Sequence, residues 1–89
     1  MRVMCDKKGN EYKVIRWILM RNFWEYYITE IDGDTTYGYV MGFENEWGYS
    51  SLSEKVGYTL EDASGDKLNE IAPPIGFYWK DSENYKYMD

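Results

Sequence analysis

The chain has 89 residues, a net charge of −6, one cysteine and no histidine. That length suits a single domain, 1–89, and the charge points away from direct nucleic-acid binding and from anionic membranes, both of which call for a basic face. Without histidine no Ser–His or Cys–His relay forms, and with one thiol neither a His-bearing nor a thiolate-rich zinc site does, so the composition leans away from an enzyme.

Arg2–Cys5 reads as a short strand, with Cys5 buried in an apolar run beside Val3 and Met4. A lone cysteine forms no internal disulfide, which fits a cytoplasmic setting. The apolar stretch before Asp6 is too short for a secretory leader, and no window reaches membrane-spanning length. Asp6–Asn10 is a turn cluster. Tyr12–Met20, carrying Tyr12, Val14, Ile15, Trp17 and Ile18, predicts one strand, broken at Arg21-Asn22.

Phe23–Ile31 and Thr35–Phe43 predict an antiparallel hairpin turning at Asp32-Gly33, where glycine accepts the positive φ of a tight turn. A two-residue loop pairs Ile31 with Asp34, Ile28 with Tyr37, Tyr26 with Tyr39 and Trp24 with Met41. The expected core face is then Trp24, Tyr26, Ile28, Tyr37, Tyr39 and Met41. The other face carries Glu25, Tyr27, Thr29, Thr36, Gly38 and Val40, with Tyr27 lying over Gly38. Gly38 and Gly42 share one strand face and leave room for a bulge or for close approach, by a packed helix in preference to a ligand.

Beyond the hairpin, Glu44–Tyr49 reads as a turn leading into a short extended piece. Ser51-Leu52-Ser53-Glu54 matches a capping box and opens a short helix ended by Gly57. Asp66–Ala72 predicts a second helix, capped by Ser64, striped with Leu68, Ile71 and Ala72, and stopped by Pro73-Pro74. Ile75–Lys80 is the last expected strand. The tail, 81–89, is polar apart from Tyr85, Tyr87 and Met88 and is expected to fray. Together these predict an α+β fold: a small, mainly antiparallel sheet with a central hairpin and one or two short helices on one face.

Trp24, Tyr27-Ile28-Thr29-Glu30, Asp32-Gly33, Gly38-Tyr39-Val40, Gly42-Phe43-Glu44, Glu46, Gly48-Tyr49 and Ser51-Leu52-Ser53-Glu54 carry a family likeness. In order and spacing they resemble an uncharacterised bacterial family, domain of unknown function 2958, over roughly a third of the chain. Trp47 and Ser50 depart from that pattern, which has leucine and an aromatic there, and the region after Glu54 does not match closely. The resemblance implies a small cytoplasmic protein, often carried on plasmids, phages or conjugative elements. It implies no reaction, cofactor or catalytic residue.

Asp32-Gly33-Asp34 lacks the ligand series and closing glutamate of a calcium loop, and Gly38–Gly42 lacks the Lys-Ser/Thr ending of a phosphate loop. No metal, cofactor or catalytic residue is therefore expected. Three carboxylates stand out: Glu30 near the hairpin turn, and Glu44 and Glu46 beyond its other end. The candidate interaction surface is Glu44, Glu46, Trp47 and Tyr49, two rings and two carboxylates in a short span that suit an apolar partner pocket rimmed by Lys or Arg. The leading expectation is a non-enzymatic protein-interaction module of a bacterial mobile element, with another protein as partner. The alternatives are a small carboxylate-based hydrolase or ligand-binding protein, recognisable by a concave aromatic pocket with converging carboxylates, and an acidic nucleic-acid mimic that blocks a DNA-binding enzyme, recognisable by a contiguous acidic face.

Overall fold

A computed structural model describes residues 1–82. The tail expected to fray lies outside the described residues beyond Ser82, and Tyr85, Tyr87 and Met88 with it. The described chain forms β1 (Arg2–Asp6), β2 (Glu11–Val14), β3 (Arg16–Met20), β4 (Glu25–Asp32), β5 (Thr35–Met41), β6 (Asn45–Ser51), β7 (Thr59–Ser64) and β8 (Phe77–Trp79). They build two sheets, one ordered β2-β1-β8 and one ordered β6-β5-β4-β3-β7, with every pairing antiparallel. No helix among the described residues is long and apolar enough to cross a membrane.

The single strand expected over Tyr12–Met20 divides at Ile15, with β2 in the small sheet and β3 in the large one. Val14 and Trp17 explain the division. In an unbroken strand their odd separation would put them on opposite faces. With the chain switching sheets between them, both enter one core. The Ile15 N–H donates to the Ile28 carbonyl at 2.9 Å, so the large sheet takes hold of the chain at the switch.

That core lies between the sheets. Met4, Val14 and Trp79 come from the small sheet, Trp17, Tyr27 and Ala63 from the large one, and Leu68 from a short turn beside them. Its aromatic tips are satisfied as burial requires. The Tyr27 hydroxyl donates to the Ala72 carbonyl (2.8 Å), the Trp79 indole to the Ile71 carbonyl (2.7 Å) and the Trp17 indole to Glu25 (3.2 Å). Burial, with the Glu25 carboxylate next to it, pushes the Tyr27 phenol well above its ordinary value. Cys5 is buried as expected. A smaller cluster, Ile18, Met20 and Ile28 with Ile15, Trp24, Tyr26 and Leu52, covers the opposite face of the large sheet.

The α component is smaller than the sequence predicts. Helix among the described residues is limited to two 3-10 turns, Ser53–Lys55 and Gly65–Glu70. Half of the capping box forms, because Ser51 Oγ accepts the Glu54 N–H at 3.2 Å. Asp34 then holds Ser53 through both its N–H (2.8 Å) and its hydroxyl (2.6 Å), which ties the turn to the hairpin. The second turn starts at Gly65, and Ser64 makes no side-chain cap bond. Thr59–Ser64, for which no strand is expected, pairs along β3 as β7.

The hairpin forms, but its register differs from the expected one. Asp32 pairs with Thr35, so Gly33-Asp34 is the loop, and a bulge at Thr29 shifts the ladder again. Beyond the bulge Ile28 faces Gly38, Tyr27 faces Tyr39 and Glu25 faces Met41. The expected core face is thereby split. Trp24, Tyr26 and Ile28 serve the smaller cluster, while Tyr39 and Met41 turn toward the main core beside Tyr27. Tyr27 does not cover Gly38. A Cβ on Gly38 would instead meet the bulged backbone of β4, with the Ile28 Cα at 2.8 Å, and one on Gly42 would meet the Trp24 ring at 2.8 Å. Close approach is what both glycines permit, and the neighbour is β4 or its flank rather than a helix.

Candidate functional site

The bulge and the sheet switch together create an open aromatic cleft. Tyr12 from β2, Thr29 and Glu30 from β4, Tyr37 from β5 and Trp47 from β6 line it, around a volume of about 370 Å³. Each wall has a local cause. In the Asp6–Asn10 turn the Asp6 carboxylate accepts the Lys8 and Asn10 N–H groups at 2.9 Å and the Asn10 side-chain amide at 3.0 Å. Those bonds, the Asn10 amide foremost, hold its carboxyl below the usual range. Asp6 also accepts the Tyr12 hydroxyl at 3.2 Å, which aims that ring at the cleft. Burial and the adjacent Asp6 push the Tyr12 phenol up.

On the other wall the Tyr37 ring stacks on Trp47, with centroids 5.9 Å apart and planes 14° from parallel. Tyr12 approaches Trp47 at 4.5 Å, and Phe77 of β8 and Tyr39 back the group, 4.7 Å from each other. Thr29, the bulge residue, donates its hydroxyl to the Tyr37 carbonyl at 3.2 Å. The bulge also places Glu30 directly across from Tyr37. A smaller extension of about 200 Å³ continues past Glu30, Asp32 and Tyr37 to Tyr49, whose ring lies 4.8 Å from Tyr37. Neither Lys nor Arg lines the cleft or its extension.

The segment expected to be a turn and a short extended piece is a seven-residue edge strand, β6. It brings Trp47 and Tyr49 together on the cleft side, opposite Tyr39 and Tyr37. Trp47 is half-buried and Tyr49 is 77% exposed. Glu46 pairs with Val40 and so projects from the other face, and Glu44 sits in the β5–β6 turn; both are exposed. Glu30 and Glu44 stand at opposite ends of the β5 ladder, roughly 17 Å apart at the rise of a strand. Paired glycosidase carboxylates lie within about 10 Å, so these two do not converge. Among the described residues no group of His, Cys, Asp and Glu is arranged to hold a metal ion.

Of the three carboxylates the sequence marks, Glu30 alone lines the cleft, and Tyr12 and Tyr37 enter it unannounced. The signal for Tyr37 is alternation: Tyr37, Tyr39, Trp47 and Tyr49 are two paired i, i+2 doublets, the signature of neighbouring strands sharing an aromatic face. A second feature without a sequence warning is Lys55. It is buried, donates to Ser50 Oγ (2.9 Å) and the Ser51 carbonyl (2.8 Å), and lies 4.2 Å over the Tyr26 ring. Burial holds its ammonium below the ordinary lysine value.

No family model, curated protein or solved structure matches the chain.

Proposed function

We propose that this protein is a non-enzymatic interaction module whose aromatic cleft takes a cationic side chain, lysine or arginine, from a partner protein. The observation that carries this reading is the make-up of the cleft: three ring-bearing walls, Glu30 at the rim and no basic residue of its own. Ring faces attract ammonium and guanidinium groups by about 0.5–2 kcal/mol, more as water is excluded. The fold already uses that attraction twice, with Arg2 4.5 Å over Trp79 and Lys55 over Tyr26. The net charge of −6 steers a basic partner toward the surface. The family resemblance adds a setting, a mobile element of a bacterium.

The test is a titration of the 15N-labelled protein with N-acetyl-lysine amide, its trimethyl-lysine analogue and the neutral norleucine analogue. The two cations should shift the Trp47 indole N–H signal saturably, Glu30→Gln should weaken both, and norleucine should leave the signal in place. Equal response to norleucine would sink the reading.

A further inference from the structure

Strand β6 is an edge of the large sheet, and among the described residues no strand pairs along its outer side. Bonds at both ends of the β5–β6 ladder fix which backbone groups face outward. The Gly42 N–H donates to the Glu44 carbonyl at 3.2 Å, and the Leu52 N–H to the Asp34 carbonyl at 2.9 Å. Hydrogen-bonded and non-bonded pairs alternate along an antiparallel ladder. Counting inward from either end, Glu46, Gly48 and Ser50 turn their main-chain groups toward β5. Asn45, Trp47 and Tyr49 turn theirs to the open side. The Ser51 carbonyl, which also faces that side, is already taken by Lys55.

Two of the three residues with open backbone groups, Trp47 and Tyr49, are thus the ones whose rings edge the cleft and its extension. Of the usual protections of an exposed edge the strand carries one charge, Glu46, and no proline, no lysine and no bulge against β5. We propose that β6 is the docking edge for an extended basic segment of the partner, which adds to the large sheet as a further antiparallel strand. This rests on the reading of the cleft as a cation site and specifies how the cation arrives. Residues of the added strand opposite Trp47 and Tyr49 share their face, so two side chains at i and i+2 lie over the rings. Tyr37 is two strand spacings away from the added strand, about 10 Å, so lysine and arginine, the longest side chains, reach furthest toward its ring. The recognised pattern is therefore a basic residue at alternate positions, with Glu46 on the far face meeting the residues between. A second copy of this chain is the less suitable occupant, because it brings another net charge of −6 and its own Glu44 and Glu46 against the same edge.

The test uses a fluorescein-labelled heptapeptide of alternating threonine and lysine, followed by anisotropy at low salt. Three comparisons accompany it: glutamate in place of lysine, the lysine peptide N-methylated at its lysine amides, and the variants Tyr49→Pro and Tyr49→Thr. The lysine peptide should bind, the glutamate peptide should not, and N-methylation should weaken binding at least tenfold. Tyr49→Pro removes one outward N–H without touching the β5 ladder, so it should weaken binding well beyond Tyr49→Thr, which removes only the ring. Equal binding of the N-methylated peptide would overturn edge pairing and leave the cleft reading standing. No binding of either lysine peptide would overturn both. A dimer in sedimentation equilibrium that Tyr49→Pro dissociates would place a second copy on this edge and overturn the proposal.

Discussion

The same residue types serve two opposite purposes in this molecule. Trp17, Tyr27 and Trp79, between the sheets, give every polar tip to a carbonyl or to Glu25 and are almost wholly enclosed. Tyr37, Trp47 and Tyr49, at the β6 edge, give theirs to no protein group among the described residues. Tyr12 is intermediate, with a hydroxyl tied to Asp6 and a ring open to the cleft. Aromatic content by itself therefore does not separate core from surface. The fate of the polar tip does, because a buried phenol or indole must find a partner while one at a wet rim need not.

The largest expected effects come from truncating one tryptophan on each side of that division. Trp79→Ala should cost about 3–5 kcal/mol, a large share of the stability of so small a domain. Trp47→Ala, half-buried, should cost about half as much and leave a folded protein that no longer responds to lysine analogues. Urea midpoints with unchanged slopes measure both, and equal losses would erase the distinction. A finer cut removes only the hydroxyls. Tyr27→Phe should lose about 1–2 kcal/mol, since the Ala72 carbonyl is left unpaired, whereas Tyr37→Phe should stay within about 0.5 kcal/mol of the parent.

The smallest effect is one of pH. The Asp6 carboxyl is depressed below its ordinary 3.8, so its contribution is present above that value and disappears as pH falls through the depressed one. Acid should therefore loosen the Tyr12 ring, seen in its NMR signals, at a pH where the Trp79 signals still hold. Asp6→Asn should make the Tyr12 signals insensitive over that window. Simultaneous loss of both sets would show that the turn and the core fail together.

The hairpin was legible because Asp32-Gly33 marks a turn between two strand-like runs, and the mainly antiparallel class followed from it. Its register was not, since the bulge at Thr29 leaves one mark in the sequence, Gly38, which equally fits a packed helix. Strand β7 was invisible for a different reason. Leu60-Glu61-Asp62-Ala63 has little strand character of its own, and its place is set by β3 and by Arg16, whose guanidinium grips Asp62 with two bonds. Of the site, Trp47 and Tyr49 could be read locally. Tyr12 could not, because it reaches them only through the change of sheet at Ile15.

The small sheet is threaded from both ends of the described chain: β1 lies between β2, its neighbour in sequence, and β8, the last strand among the described residues. During synthesis the large sheet can pair its hairpins early, but the lid over Trp17 and Tyr27 stays incomplete until Trp79 has been added. Until then the richest apolar surface of the molecule faces the cell's other proteins. The pairing of β8 with β1 joins the two ends of the described chain, a long-range contact of the kind that slows folding.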